Sequence, residues 1–246
     1  MRDLRCYPNS NGIKDLLLRT NYISRKPVYD FFKEKLEDVG GCVLDLGCGS
    51  QPYRPLLRNC SKYIGLDVDT AKDYGFSDKD VTYYDGKNIP VEDQSVDCVM
   101  SVQVFEHIED LDYSLGEIHR VLKQNGVLCF SVPMAYPIHM DPYDFRRFTH
   151  YGISKKLEAY GFTDIRIEGS NREVDSLRFL KIRNCPRIFR YPHTALTNLC
   201  FIYGYKRPKR LTVRLENLLR KILHRNPKVE DLKRYPLDYL CYCIKK

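Results

Sequence analysis

The run Val43-Leu44-Asp45-Leu46-Gly47-Cys48-Gly49-Ser50 constrains this chain more than any other. Its first four residues are apolar but for one aspartate, the pattern of a short buried strand, and two glycines follow closely. Glycine after a buried strand lets the backbone turn sharply and approach a ligand with no Cβ in the way. A dinucleotide-binding turn would place a third glycine where Pro52 stands, and Asp45 suits a ligand carrying a cation better than a pyrophosphate. A tight turn in any α/β protein would read the same way, so the meaning of the run depends on its surroundings.

Those surroundings alternate strands with helices. Tyr63–Asp67, Val81–Tyr84, Val96–Ser101 and Gly126–Val132 read as further strands. Ser24–Asp38 and Tyr113–Leu122 have apolar residues at helical spacing, the first ended by Gly40-Gly41. Such alternation predicts parallel pairing through right-handed crossovers. A helix at Ser154–Tyr160, a strand at Thr163–Ile167 and a last strand at Tyr239–Ile244 complete the pattern. The expected boundaries are an N-terminal helical segment 1–41, an α/β domain 42–171, a mainly helical insertion 172–235 and a final strand within 236–246. In the insertion Leu211, Leu215, Leu218, Leu219, Ile222 and Leu223 form an apolar stripe, opposite Arg214, Arg220, Lys221 and Arg225.

Two more acids fall at strand ends. Asp67 closes the second strand about twenty residues after the glycine turn, where a carboxylate can accept ribose hydroxyls. Asp85 closes the third, where it can accept from an adenine amine. Singly, each reads as a loop acid or a helix cap. Three acidic strand ends in chain order beside a Gly-x-Gly turn point to a nucleoside-bearing ligand.

With these stretches in place, the chain resembles the class I S-adenosylmethionine-dependent methyltransferases, in particular the type 11 family. The matching stretches are VLDLGCGS (43–50), YIGLDVD (63–69), DGKNIPVEDQSVDCVMSVQVFEHIED (85–110) and EIHRVLKQNGVLCFSVP (117–133), together covering about residues 42–133. The resemblance implies a Rossmann-like, seven-stranded, mostly parallel sheet with helices on both faces, its last strand antiparallel and preceded here by the helical insertion. It implies S-adenosyl-L-methionine as cofactor, with Asp45, Gly47 and Gly49 near its methionine part and Asp67 on the ribose. Asp85, Gly86 and Ile89 would lie at the adenine, and Ser101 and Val102 beneath the sulfonium. Ser50-Gln51 replaces a commoner third glycine.

A second signature follows the fifth strand, Tyr136-Pro-Ile-His139-Met-Asp141-Pro-Tyr-Asp144-Phe-Arg146-Arg147-Phe-Thr149. It resembles stretches of methyltransferases found among glycan and polysaccharide biosynthesis enzymes. Its place puts it on the rim where open α/β sheets bind ligands. His139 is the first candidate base, with an ordinary pKa of about 6.5 near operating pH, and His107 the second. Asp141, Asp144, Arg146 and Arg147 are candidate acceptor-binding residues, the acids for hydroxyls and the arginines for phosphate or carboxylate. A structural alternative has Asp144 paired with an arginine and Thr149 capping the next helix. Some quinone-precursor methyltransferases carry E-x-x-E-H at the position of Glu106-His107 and hold a divalent metal; Gln103 occupies the first position here, so no metal is expected.

Charge and cysteine usage frame the setting. Of 40 Lys and Arg and 32 Asp and Glu, residues 1–171 hold 21 and 26, a balance of −5, and residues 172–246 hold 19 and 6, a balance of +13. The basic end is expected to face phosphates, an anionic membrane surface or nucleic acid. The ten cysteines form no C-x-x-C pair, and Cys42, Cys98 and Cys129 fall in strand-like runs, which suits reduced thiols used as small hydrophobes. Cys241 and Cys243 share a face of the last strand, expected to pack. No apolar run reaches the roughly 18 residues of a spanning helix, and Met1–Ser10 is not a signal peptide, so a cytoplasmic enzyme is expected.

The expected activity is O-methylation of a sugar or a phosphate-bearing glycan intermediate. A quinone or natural-product acceptor is one alternative. A nucleic-acid-binding protein with a degenerate methyltransferase domain is another, but the insertion lacks a recognisable DNA-reading helix, and nucleic acid is not an expected partner.

Overall fold

The computed structural model describes residues 22–75, 80–170, 176 and 236–246. Seven strands form one sheet: β1 (Gly40–Leu46), β2 (Asn59–Val68), β3 (Val81–Tyr84), β4 (Val96–Val102), β5 (Leu122–Pro133), β6 (Phe162–Gly169) and β7 (Asp238–Lys245). Their order is β3-β2-β1-β4-β5-β7-β6. β1 to β5 pair in parallel, whereas β7 inserts antiparallel between β5 and β6. The expected α/β sheet with an antiparallel last strand is the one observed.

Alternate residues of the buried strands face opposite layers. Leu44 and Leu46, with Val99 and Leu128, pack against α2 (Leu111–Val121) through Leu115, Ile118 and Val121, and against α3 (His150–Ala159) through Ile153 and Leu157. Val43, Cys98, Met100 and Cys129 pack instead on Val28, Phe31, Phe32 and Leu36 of α1 (Tyr22–Leu36). Each fully buried aliphatic or aromatic side chain contributes roughly 1.5–3 kcal/mol, so this two-sided core fixes the sheet and the loops above it.

Element ends differ from expectation for local reasons. α2 starts two residues early because Asp110 caps it, accepting from the Tyr113 N–H at 3.0 Å. α3 starts four residues early because Thr149 caps it, accepting from the Gly152 N–H at 3.2 Å. α1 stops at Leu36, and Gly40-Gly41, expected as its stop, already belongs to β1. Cys42, Cys48, Cys60, Cys98, Cys129, Cys241 and Cys243 are all free thiols, and Cys241 and Cys243 lie fully buried in the core. No described helix is long and apolar enough to cross a membrane. The expected basic insertion, with its stripe at Leu211–Leu223 and its cations Arg214, Arg220, Lys221 and Arg225, lies outside the described residues, as does Met1–Ser10.

Candidate active site

In this order the chain reverses direction across the sheet between β1 and β4, and ligands of open α/β sheets bind outside the strand C-termini at such a point. A cavity of 1510 Å³ opens there, lined by the ends of β1, β2, β3 and β4 and by the loop after β5.

Its floor is the glycine turn. The Gly47 and Cys48 N–H groups donate to the Leu66 carbonyl at 2.8 and 3.1 Å, tying the turn to β2. Gly47 sits at φ +72°, and a Cβ there would lie 2.4 Å from a Val104 methyl; Gly49 also has a positive φ, +53°. Val104 and the backbone conformation together therefore keep any side chain off the turn at Gly47.

Three acids stand around it. Asp45 is almost completely buried and accepts from the Tyr63 hydroxyl at 2.7 Å. Burial pushes its carboxyl up to about 7, against the pull of that hydrogen bond. Asp67 accepts from the Gly49 and Val68 N–H groups, both at 2.8 Å, and burial raises its pKa too. Each of its oxygens keeps a second lone pair for a ligand. Asp85 is exposed and accepts from the Lys87 N–H and from both nitrogens of Asn88, which hold its carboxyl below the usual range.

Of the residues expected at the cofactor, Asp45, Gly47, Gly49, Asp67, Asp85, Gly86 and Val102 line this cavity. Two expected cofactor residues do not line it. Ser101 is buried beneath, its hydroxyl donating to the Leu46 carbonyl at 3.0 Å. Ile89 is core, its N–H donating to Glu117 at 2.9 Å.

The opposite wall comes from the loop after β5. His139, Arg146 and, from the segment after β4, His107 line the cavity; Asp141, Asp144 and Arg147 do not. Asp141 is exposed. The Asp144 side chain is 1% exposed and takes two bonds from Arg147, at 2.5 and 2.7 Å, which hold its carboxyl down at about 2. Arg147 spends its remaining donors on the Tyr136, Pro137 and Arg146 carbonyls. This pair braces the loop, as in the structural alternative for Asp144, and of the four candidate acceptor-binding residues Arg146 alone lines the cavity. Arg146 differs: Nη2 donates to the Glu109 carbonyl at 2.6 Å, while Nη1 is buried and meets no partner.

The sequence reading passed over several lining residues. Tyr74, Tyr113, Tyr136, Tyr143, Phe145 and Phe148 give the cavity an aromatic wall. Tyr74 reaches across the mouth, donating to the Asp141 carbonyl at 3.0 Å. They come from three separate segments of the chain, after β2, in α2 and after β5, and only the third dimension gathers them.

Glu106 is the most isolated polar group. It is 0% exposed, and apart from its own backbone N–H neither carboxylate oxygen meets a hydrogen-bond donor. Burial pushes its pKa up to about 8. Its Oε1 lies 3.6 Å from His107 Nε2 and 4.0 Å from His139 Nε2. Among the described residues these three bring one ligand atom each within 4.8 Å of one another. Gln103 turns away, donating to the Ser131 hydroxyl at 3.1 Å. The expectation of no metal rested on Gln103 and did not foresee that His139 would complete a cluster.

A seven-stranded sheet of this order, with a glycine turn after β1 and acids at the ends of β1, β2 and β3, is the frame in which the comparisons with known proteins fall. Residues 44–130 match the methyltransferase domain family. The chain is 27% identical over 157 residues to a probable S-adenosylmethionine-dependent methyltransferase of Mycolicibacterium smegmatis, 59% of this chain and 61% of that protein. It is 32% identical over 150 residues to the malonyl-[acyl-carrier protein] O-methyltransferase of Methylococcus capsulatus, 51% of this chain and 53% of that one. The chain thus spans somewhat over half the length of these curated relatives. In fold it is similar to the crystal structure of a SAM-dependent methyltransferase from Archaeoglobus fulgidus, with a TM-score of 0.55, 19% identity and coverage of 90% of this chain and 94% of that one.

Proposed function

We propose that this chain transfers the methyl group of S-adenosyl-L-methionine to an oxygen of a small acceptor, a sugar or a phosphate-bearing glycan intermediate. The observation that carries the reading is one continuous cavity of 1510 Å³ joining the Asp45–Asp67–Asp85 side to His107, His139 and Arg146. Single-ligand sites run at roughly 300–1,000 Å³, so this one has room for a cofactor and an acceptor together.

The residues present fit the cofactor. Gly47 and Gly49, both at positive φ, make the side-chain-free turn, Asp67 keeps lone pairs for a ribose diol, and Asp45, once ionised, offers charge to an ammonium. When bound, the cofactor supplies a methyl group made electrophilic by its sulfonium. The chain's own task is to orient an acceptor oxygen, shut out water and assist removal of its proton, and positioning supplies much of the rate. His107 and His139, which line the same cavity, are the candidate bases, and Arg146, which also lines it, is the candidate partner for a phosphate or carboxylate.

A second reading, a phenolic or quinone-like acceptor, has its support in the aromatic wall, and a curated relative at 27% identity is the ubiquinone biosynthesis O-methyltransferase of Pelagibacter ubique. Calorimetry with S-adenosylmethionine tests the shared step: binding is expected, and none would leave a degenerate domain. Turnover to S-adenosylhomocysteine with sugar phosphates and with catechols then decides between acceptors.

A further inference from the structure

The strongest unexplained feature of the cavity wall is that three lone-pair donors converge with nothing positive between them. His107 Nδ1 lies 2.5 Å from the Tyr143 carbonyl oxygen. His139 Nδ1 lies 3.2 Å from Asp144 Oδ2 and 3.3 Å from the Pro137 carbonyl. Each Nδ1 faces only acceptors, so it carries the ring hydrogen, and each Nε2 is left with a lone pair. Both Nε2 atoms point at Oε1 of the fully buried Glu106.

We propose that Glu106, His107 and His139 form a binding site for a divalent transition-metal ion, of the zinc or manganese type. The separations decide between a metal and a shared proton. Hydrogen bonds need about 2.5–3.2 Å between heavy atoms, and 3.6 and 4.0 Å exceed that. Ligand atoms bound at about 2.1 Å around a tetrahedral ion stand roughly 3.4 Å apart, so the carboxylate–imidazole separations of 3.6 and 4.0 Å are near the required spacing, and the three atoms, all within 4.8 Å of one another, need to draw in only slightly around an ion. Two imidazoles and a carboxylate are also a donor set these ions favour.

The surroundings match a metal site as well. A ligating imidazole usually gives its other N–H to a carboxylate or a carbonyl, which fixes ring orientation. His139 has Asp144 in that place, itself braced by Arg147, and Asp144 also accepts from the His139 N–H at 2.9 Å. His107 has the Tyr143 carbonyl. Gln103 contributes nothing, being turned to Ser131. Three protein ligands leave a coordination position open, and because both histidines line the cavity, that position faces the acceptor space. The role this gives the ion, holding the acceptor oxygen and favouring loss of its proton, rests on the methyltransferase reading; the site itself does not.

The test uses the full chain, freed of metal with a chelator, and Zn²⁺, Mn²⁺ and Co²⁺ as probes in calorimetry. One ion per chain is expected for at least one probe, with Co²⁺ giving the absorption bands of nitrogen ligation. Glu106→Gln, His107→Ala and His139→Ala should each weaken binding by tenfold or more, and His119→Gln, remote from the cluster, should leave it unchanged. S-adenosylmethionine binding measured on the same samples reports that each variant is folded. No ion bound at millimolar concentration, or binding that survives all three variants (thiols being the obvious competitors), overturns the proposal. Metal bound without cofactor binding would instead sink the methyltransferase reading and leave the metal site standing.

Discussion

The Tyr63 hydroxyl donates to Asp45 Oδ2 at 2.7 Å, so the first acid of the cofactor site is held from the neighbouring strand before any ligand arrives. β1 and β2 pair in parallel with Asp45 opposite Gly65. The phenol therefore reaches Asp45 along the sheet, and burial of the pair makes its charge costly.

That cost is a stability effect with a definite sign. The folded-state pKa of Asp45 is raised from 3.8 to about 7, chiefly by burial. Between those values the folded protein keeps a proton that the unfolded chain has lost, so stability without cofactor falls as pH rises through this window. A gap of that size corresponds to about 4 kcal/mol at 1.36 kcal/mol per pH unit. Asp45→Asn is expected to raise the melting temperature of the cofactor-free protein by several degrees at pH 8, with the gain shrinking towards pH 4. It should weaken S-adenosylmethionine binding by tenfold or more. Thermal melts across pH check the first; an equal or lower melting temperature at pH 8 would contradict it.

Asp67 gives a cleaner test of the cofactor side. Its two oxygens already order the turn through Gly49 and Val68, with lone pairs to spare. Hydrogen bonds to a charged acceptor are worth roughly 1.5–3 kcal/mol each. Asp67→Ala should weaken S-adenosylmethionine binding well over tenfold, with far-ultraviolet circular dichroism unchanged. Wild-type affinity in the titration would remove Asp67 from the site.

Gly47 cannot accept a side chain for two separate reasons, its φ of +72° and the 2.4 Å approach to Val104. The left-handed conformation alone costs an ordinary residue roughly 1–2 kcal/mol. Gly47→Ala is expected to lower stability by more than that and to abolish cofactor binding. Adding Val104→Ala should restore part of the stability and little of the binding, because the new Cβ still stands on the cavity floor. Chemical denaturation of the single and double variants measures both.

The sheet was legible because its strands are buried on both faces. Val43, Leu44 and Leu46, or Val96, Val99 and Met100, read as short apolar runs whichever layer each residue meets. Asp45, Asp67 and Asp85, which line the cavity, were legible because each stands at the end of such a run. What stayed hidden was set by backbone paths between elements. Glu106 and His139 belong to loops after different strands, and nothing in either segment announces the other. Ser101 and Ile89 were placed by family position, and their burial depends on which way a strand end and a loop turn. Arg146 and Arg147 are sequence neighbours in irregular backbone, so only the structure separates the bracing arginine from the one facing the cavity.

That separation makes the last prediction. Arg147 neutralises an Asp144 carboxylate that is 1% exposed, and removing one partner of a buried pair costs about 3–5 kcal/mol because the other charge is stranded. Arg147→Ala should therefore destabilise the protein severely, and adding Asp144→Asn should recover much of the loss. Arg146 donates to the Glu109 carbonyl and lines the cavity, with no carboxylate hydrogen-bonded to it. Arg146→Ala should leave the melting temperature within a degree or two of wild type. If the acceptor carries a phosphate or carboxylate, the same variant should raise KM for it tenfold or more, with S-adenosylmethionine affinity unchanged, while an uncharged analogue loses nothing. Equal KM values for the charged acceptor in wild type and Arg146→Ala would take the anionic group away from this arginine, and with it the main physical argument for a phosphate-bearing substrate.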